Sequence, residues 1–199
     1  MKLAFCVEDD TDEEVFRVLV SKALGTEVVP SETQYRFARG GWTNALRLAP
    51  IIAKDAYHKG LDGALFAIDN DGAAPTHSVT HNDAAKGCRL CELRTAARIH
   101  EPLSWPRQGL PALRYLFAVP VQTLETWLLL ARGHDFKGES ETLGRDQPGR
   151  AKLKRLLYGM EHPDRDTMRS AALPIAESLD VNALAEVSPS FADFFSQLR

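Results

Sequence analysis

Cysteine is scarce in this chain: there are 3 among 199 residues, an odd number that excludes a disulfide framework and fits a reducing, cytoplasmic setting. Long apolar runs are missing as well. Nothing approaches the roughly 18 to 20 residues of a membrane span, and the run Leu3 to Val7 is too short for the core of a secretory signal. There is no excess of positive charge either. The 24 Lys plus Arg against 27 Asp plus Glu leave a formal charge of -3, so any contact with nucleic acid has to be local. The glycine signatures of Rossmann and P-loop nucleotide sites are absent, and no repeat or low-complexity segment is visible. What remains is ordinary globular usage, 44% hydrophobic and 26% charged, in a length that suits one domain.

The pattern alternates. Leu3 to Val7 reads as a buried strand that stops at Glu8-Asp9-Asp10, and Thr11 with Glu14 reads as a capping box opening a helix from Asp12 to Leu24, which Gly25 ends. Tyr35 to Ala38 is a weaker strand, followed by Gly40-Gly41 and a helix from Thr43 to Lys59 in which Pro50 predicts a kink. Ala64 to Ile68 is wholly apolar and runs into Asp69-Asn70-Asp71-Gly72, a strand entering a turn. Residues 73–87 read as a loop, Cys88 to His100 as a helix, and the prolines at 102, 106 and 111 as a connector. Leu113 to Val119 is a fourth strand, and Gln122 to Ala131 a helix with Leu124, Trp127, Leu128 and Ala131 inward. Four strand-helix pairs in succession predict an α/β fold, a parallel sheet with helices on its faces. Residues 132–150 then read as an exposed loop. Helices over Lys152 to Tyr158, Leu173 to Glu186 and Phe191 to Leu198 complete the expectation of a core over 1–131 and a helical extension over 132–199 packed on it.

In such a sheet the working groups collect beyond the carboxyl ends of the strands. Glu8 stands there, and so do Asp69 and Asp71, which share a face if the chain stays extended. Carboxylates crowded at one edge repel one another, and a hard divalent cation, Mg²⁺ or Mn²⁺, is the usual remedy. The alternative is a plain one, since acids after strands also serve as helix caps and turn residues; Asp12 and Glu13 read as first-turn acids of this kind.

V-E-D-D-T-D (Val7 to Asp12) after a first strand and I-D-N-D-G (Ile68 to Gly72) after a third resemble the two motifs of Toprim domains, a lone Glu and then a D-x-D pair. Toprim domains occur in topoisomerases, primases, recombination proteins and OLD-family nucleases. V-P-V-Q-T-L-E-T-W-L-L (Val119 to Leu129) and S-P-S-F-A-D-F (Ser188 to Phe194) are similar to segments of a bacterial family of small, stand-alone Toprim-like proteins of unknown function, whose relatives include members of phage-defence pairs with an ATPase. The resemblance implies a Toprim-like sheet and Mg²⁺-dependent phosphodiester chemistry. It implies that Glu8, Asp69 and Asp71 are catalytic and hold the metal, Glu8 also as general acid or base, with Glu125 of the L-E-x-W segment as an additional ligand. Asp9 departs from the pattern, standing where Toprim motifs usually carry Gly. No dedicated tyrosine nucleophile is evident, so hydrolysis by water is expected over covalent strand transfer.

Two other groupings carry chemistry. His77, His81, Cys88 and Cys91 form an H-x3-H-x6-C-x2-C series whose imidazole and thiolate donors suit a structural Zn²⁺, against the reading that they merely pack or face solvent. Arg145, Arg150, Lys152, Lys154 and Arg155 make the densest basic stretch; Arg150, Lys152 and Lys154 are the candidate contacts to a DNA or RNA backbone, against a solvated helix face. Trp42 reads equally as a stacking platform or as core. Together these features predict a Mg²⁺- or Mn²⁺-dependent nuclease or nuclease effector, cytoplasmic, with nucleic acid as substrate and an ATPase as partner protein and no membrane association. The alternative is a non-catalytic subunit of that ATPase with a vestigial or regulatory metal site.

Overall fold

The unbroken apolar run after Lys2 forms β1 (Lys2–Val7), central in an all-parallel sheet and buried from Leu3 onward. Asp9 then turns the chain into α1 (Asp10–Leu24), which Gly25 ends in the left-handed conformation. The computed structural model describes residues 1–37, 41–71, 88–99, 112–136, 139 and 147–199. Along them follow β2 (Val29–Pro30), β3 (Tyr35–Arg36), α2 (Gly41–His58), β4 (Gly63–Ala67), α3 (Arg89–Arg98), β5 (Arg114–Ala118) and α4 (Leu124–Ala131). Four further helices close the chain: α5 (Gln147–Tyr158), α6 (Arg165–Ser178), α7 (Val181–Val187) and α8 (Pro189–Ser196).

The sheet order is β2-β1-β4-β5, with β3 also on β1. β2 pairs with Lys2 and Leu3, and β3 with Cys6 and Val7, so the two short strands share one side of β1. β4 lies on its other side. The chain therefore leaves β1 in one direction and returns across it to β4, which puts the topological switch between β1 and β4. Strand alternation sorts the core into two layers. Leu3, Phe5, Val7, Leu65, Ala67, Leu116 and Ala118 pack with α1, α4 and the last four helices. Ala4, Cys6, Ala64, Phe66, Tyr115 and Phe117 pack with α2 and α3. Gly63 is fixed by this packing, because a Cβ there would sit 2.6 Å from the Arg114 carbonyl oxygen and 2.9 Å from Leu3 Cδ2.

The α/β class with a parallel sheet is thus observed, and the details differ in instructive ways. The capping box opening α1 is not Thr11 with Glu14. Asp9 is the cap, and its Oδ1 accepts the Asp12 N–H at 3.0 Å, so the helix starts two residues earlier. α2 continues through Pro50, held to the sheet on both sides of it by Ala45, Ala49, Ile52, Ala53 and Ala56. The single helix expected over Leu173 to Glu186 is two, because Leu179 is extended and Asp180 caps a new turn by accepting from Asn182 N and Ala183 N. Part of the supposed exposed loop 132–150 is core: Phe136 and Glu139 are buried, and α5 begins at Gln147. The end of the Tyr35 to Ala38 strand, the 73–87 loop with His77 and His81, the proline connector and Arg145 lie outside the described residues.

α8 also finishes the sheet. The side-chain amide of Gln197 accepts from Phe117 N at 2.8 Å and donates to Phe117 O at 3.0 Å, and Arg114 donates to the Gln197 carbonyl at 2.7 Å. No described helix is long and apolar enough to cross a membrane.

Candidate metal centre

Beyond β4 the chain does not leave the sheet at once. Ile68 N donates to Ala118 O, Asn70 N to Pro120 O and Asp71 N to Gln122 O, at 2.8 to 3.1 Å, so the ladder to the β5 side runs on under the D-x-D pair. Asn70 is 1% exposed and donates to Val121 O. Its neighbours Asp69 and Asp71 are half-buried. Asp69 Oδ1 accepts Leu124 N at 2.9 Å, one of the unpaired N–H groups at the start of α4. The extended geometry ends at Asp71, whose φ of 52° lies in the left-handed region, where Asp is tolerated better than most residues. The two acids therefore do not leave the chain as an extended pair.

The acids of the other elements meet them electrostatically. Burial pushes the Asp69 carboxyl well above the usual range, and the charges of Glu8, Glu125, Asp12 and Asp71 push it further. Asp12 is also raised well above it, by burial and then by Asp9, Glu8 and Glu125, against a hydrogen bond from the Asp9 backbone. Glu8 is open to solvent on one side, yet protein surrounds enough of its carboxyl to raise it, helped by Asp71, Asp9 and Glu125 and opposed by Lys154. Burial raises Asp71 as well, while Arg89 and Arg150 draw it down. Glu125 accepts from the Tyr158 hydroxyl at 3.4 Å. The phenol is itself pushed far up by burial and by Glu125, Asp12, Asp69 and Asp9.

Glu8, Asp69, Asp71 and Glu125 thus lie within one another's fields, contributed by the ends of β1 and β4 and the first turn of α4. Among the described residues no group of three His, Cys, Asp or Glu side chains stands ready to hold a metal ion as it lies. Sequence reasoning missed three members. Asp12 reads as a first-turn acid of the helix dipole, yet the charges of Asp9, Glu8 and Glu125 act on its carboxyl and the Asp9 backbone bonds to it. Tyr158 arrives from α5 and carries no local signal. Arg89 opens α3, where its Nη1 donates to the Asp69 carbonyl at 3.0 Å and stands 3.6 Å from Asp71 Oδ2.

The remaining candidates divide. Arg150 and Lys154, one turn apart on α5, are half-buried and act on Asp71 and Glu8 respectively; Lys152 is exposed. Cys88 precedes α3 and Cys91 lies in it, both buried in the α2-α3 layer, and their proposed partners His77 and His81 are outside the described residues. Trp42 packs against that same layer, with its indole N–H donating to Glu92 Oε2 at 3.3 Å and the Arg89 guanidinium over its ring.

Fold and site together define an α/β protein with a cluster of acids beyond the carboxyl ends of β1 and β4, at the switch point of its sheet. Compared with known proteins, the chain matches no family model, no curated protein and no solved structure.

Proposed function

We propose that the chain is a Toprim-like nuclease dependent on Mg²⁺ or Mn²⁺, an effector that cleaves phosphodiester bonds of DNA or RNA and works beside an ATPase in phage defence. One observation carries the reading: Glu8 at the end of β1, Asp69 and Asp71 beyond the adjacent β4, and Glu125 in the first turn of α4, which Asp69 bonds, come from separate elements to one edge of the sheet. Such a set is stabilised by a divalent cation, and its donors are all oxygen, as Mg²⁺ and Mn²⁺ prefer. Glu8, Asp69 and Asp71 would hold the ion, with Glu125 beside them. When bound, the ion supplies neutralisation of phosphate charge and a more acidic water.

The chain's own groups do the rest. Asp69, fixed on Leu124 N, keeps one oxygen for the crevice. Glu8 is the acid most open to solvent and would take a proton from water. Arg150 and Lys154 offer positive charge to phosphate at the rim, and Lys152 extends it outward. A structural Zn²⁺ on His77, His81, Cys88 and Cys91 is a separate part of the proposal, decided by metal analysis of the purified protein with Cys88→Ser as control.

A second reading, the non-catalytic ATPase subunit with a regulatory metal site, is favoured by Asp69 and Asp9 already serving as helix caps. Incubation of purified protein with DNA and RNA in Mn²⁺ or Mg²⁺ separates the two. The nuclease reading expects cleavage that Asp69→Asn reduces at least about a hundredfold. No cleavage of any nucleic acid, even with the neighbouring ATPase supplied, favours the subunit.

A further inference from the structure

Arg89 is held in an unusual way for a residue that merely balances charge. Its Nη1 donates to the Asp69 carbonyl at 3.0 Å and stands 3.6 Å from Asp71 Oδ2. Its guanidinium carbon lies 5.4 Å from the centre of the Trp42 ring, and Trp42 is tied in turn to Glu92 of the same helix at 3.3 Å. The guanidinium is therefore held by an aromatic ring on one side and by a backbone oxygen at Nη1. Asp71 is in turn drawn down by the charge of Arg89 and by a hydrogen bond from it, and a guanidinium carries five N–H donors, more than these two acceptors use. The side chain keeps 22% of its surface open. It stands beside Asp71, on which the α5 cation Arg150 also acts, while Lys154 of the same helix acts on Glu8.

We infer that Arg89 is a substrate-binding residue that receives a phosphate oxygen of the substrate backbone, with the Trp42 ring holding its guanidinium in place. This rests on the nuclease reading for its substrate class and goes beyond it in assigning a phosphate contact to α3. A guanidinium fork matches two phosphate oxygens at once, which an ammonium does not.

The test separates phosphate binding from support of Asp71. Binding of fluorescein-labelled DNA and RNA oligonucleotides is measured in Ca²⁺ for the wild type, Arg89→Ala and Arg89→Lys, alongside Mn²⁺ affinity by electron paramagnetic resonance and thermal melting as a folding check. In Arg89→Ala, oligonucleotide affinity is expected to fall on the order of tenfold or more. Mn²⁺ affinity should stay the same or tighten, since a cation beside the ligands has gone. Arg89→Lys should recover part of the loss. Parallel loss of Mn²⁺ and oligonucleotide affinity overturns the assignment, because it marks a residue that only braces Asp71. Unchanged oligonucleotide affinity, or no binding by a wild type that takes up Mn²⁺, overturns it too. Binding that depends on Arg89 but is never followed by cleavage in Mn²⁺ leaves the phosphate contact standing and removes the nuclease reading instead.

Discussion

Two acids flank α4 and live in opposite surroundings. Glu139 is 2% exposed, and donors meet both its oxygens: Trp127 Nε1 at 3.0 Å and Ser190 Oγ at 2.7 Å on Oε1, Ser190 N at 3.0 Å on Oε2. Asp69 has the Leu124 N–H and otherwise faces Glu8, Asp12, Asp71 and Glu125. A buried carboxylate is costly unless hydrogen bonds replace its water. At Glu139 they do, and the result locks α4 to α8, with Trp127 against Phe191 and Phe194 at 5.1 and 5.9 Å. At Asp69 burial and the repulsion of four acids are met by a single backbone N–H among the described residues, and its carboxyl is held well above the usual range instead.

The contrast is open to attack by mutation. The largest effect is expected at Glu139→Ala, which strands Ser190 N and loosens Trp127; urea unfolding should show a loss of about 3 kcal/mol. Asp69→Asn should move the other way in metal-free protein at pH 8, a gain on the order of 1 kcal/mol, because the amide oxygen can still cap Leu124 N while one of several repelling charges is gone. The same pair of proteins tests pH dependence. Raised carboxyls bind protons in the folded chain at pH values where the unfolded chain has lost them, so their contribution to stability falls as pH rises from about 4 through their folded values. Melting of metal-free wild type should therefore drop between mildly acid and mildly alkaline pH, Mn²⁺ should restore it most at the alkaline end, and Asp69→Asn should flatten the slope. A slope that Asp69→Asn leaves untouched would place the strain elsewhere. Smallest is Asp10→Asn. Asp10 lies in the same helical turn as Asp12 but is bonded to Arg36 at 2.5 Å and paired with Arg165, which hold its carboxyl below the usual range. Its loss should cost about 0.5 kcal/mol, the scale of a partly exposed pair.

The strands were legible because continuous apolar runs leave little choice, as Leu3 to Val7 and Ala64 to Ile68 show. The ends of the elements were less so. Asp9, Thr11 and Asp12 all suit a cap, and only the course of the chain out of β1 selects Asp9. Glu139 looks like any loop acid until Trp127 and Ser190, far apart in sequence, are brought onto it. That Glu8 and the D-x-D pair follow neighbouring strands depends on the strand order, which the alternation of elements left open and the pairing of β1 with β4 supplies. Tyr158 and the half of the basic stretch that turns inward, Arg150 and Lys154, depend on how α5 lies against α4, which no local pattern encodes.

The amide of Gln197 plays the part of a peptide group at the level of Phe117, offering one acceptor and one donor where an adjoining strand would offer the same. Among the described residues that position beside β5 is taken by Gln197, which follows the last helix. On the opposite side of the described sheet stand the short β3 and the short, proline-bearing β2, poor templates for a further strand.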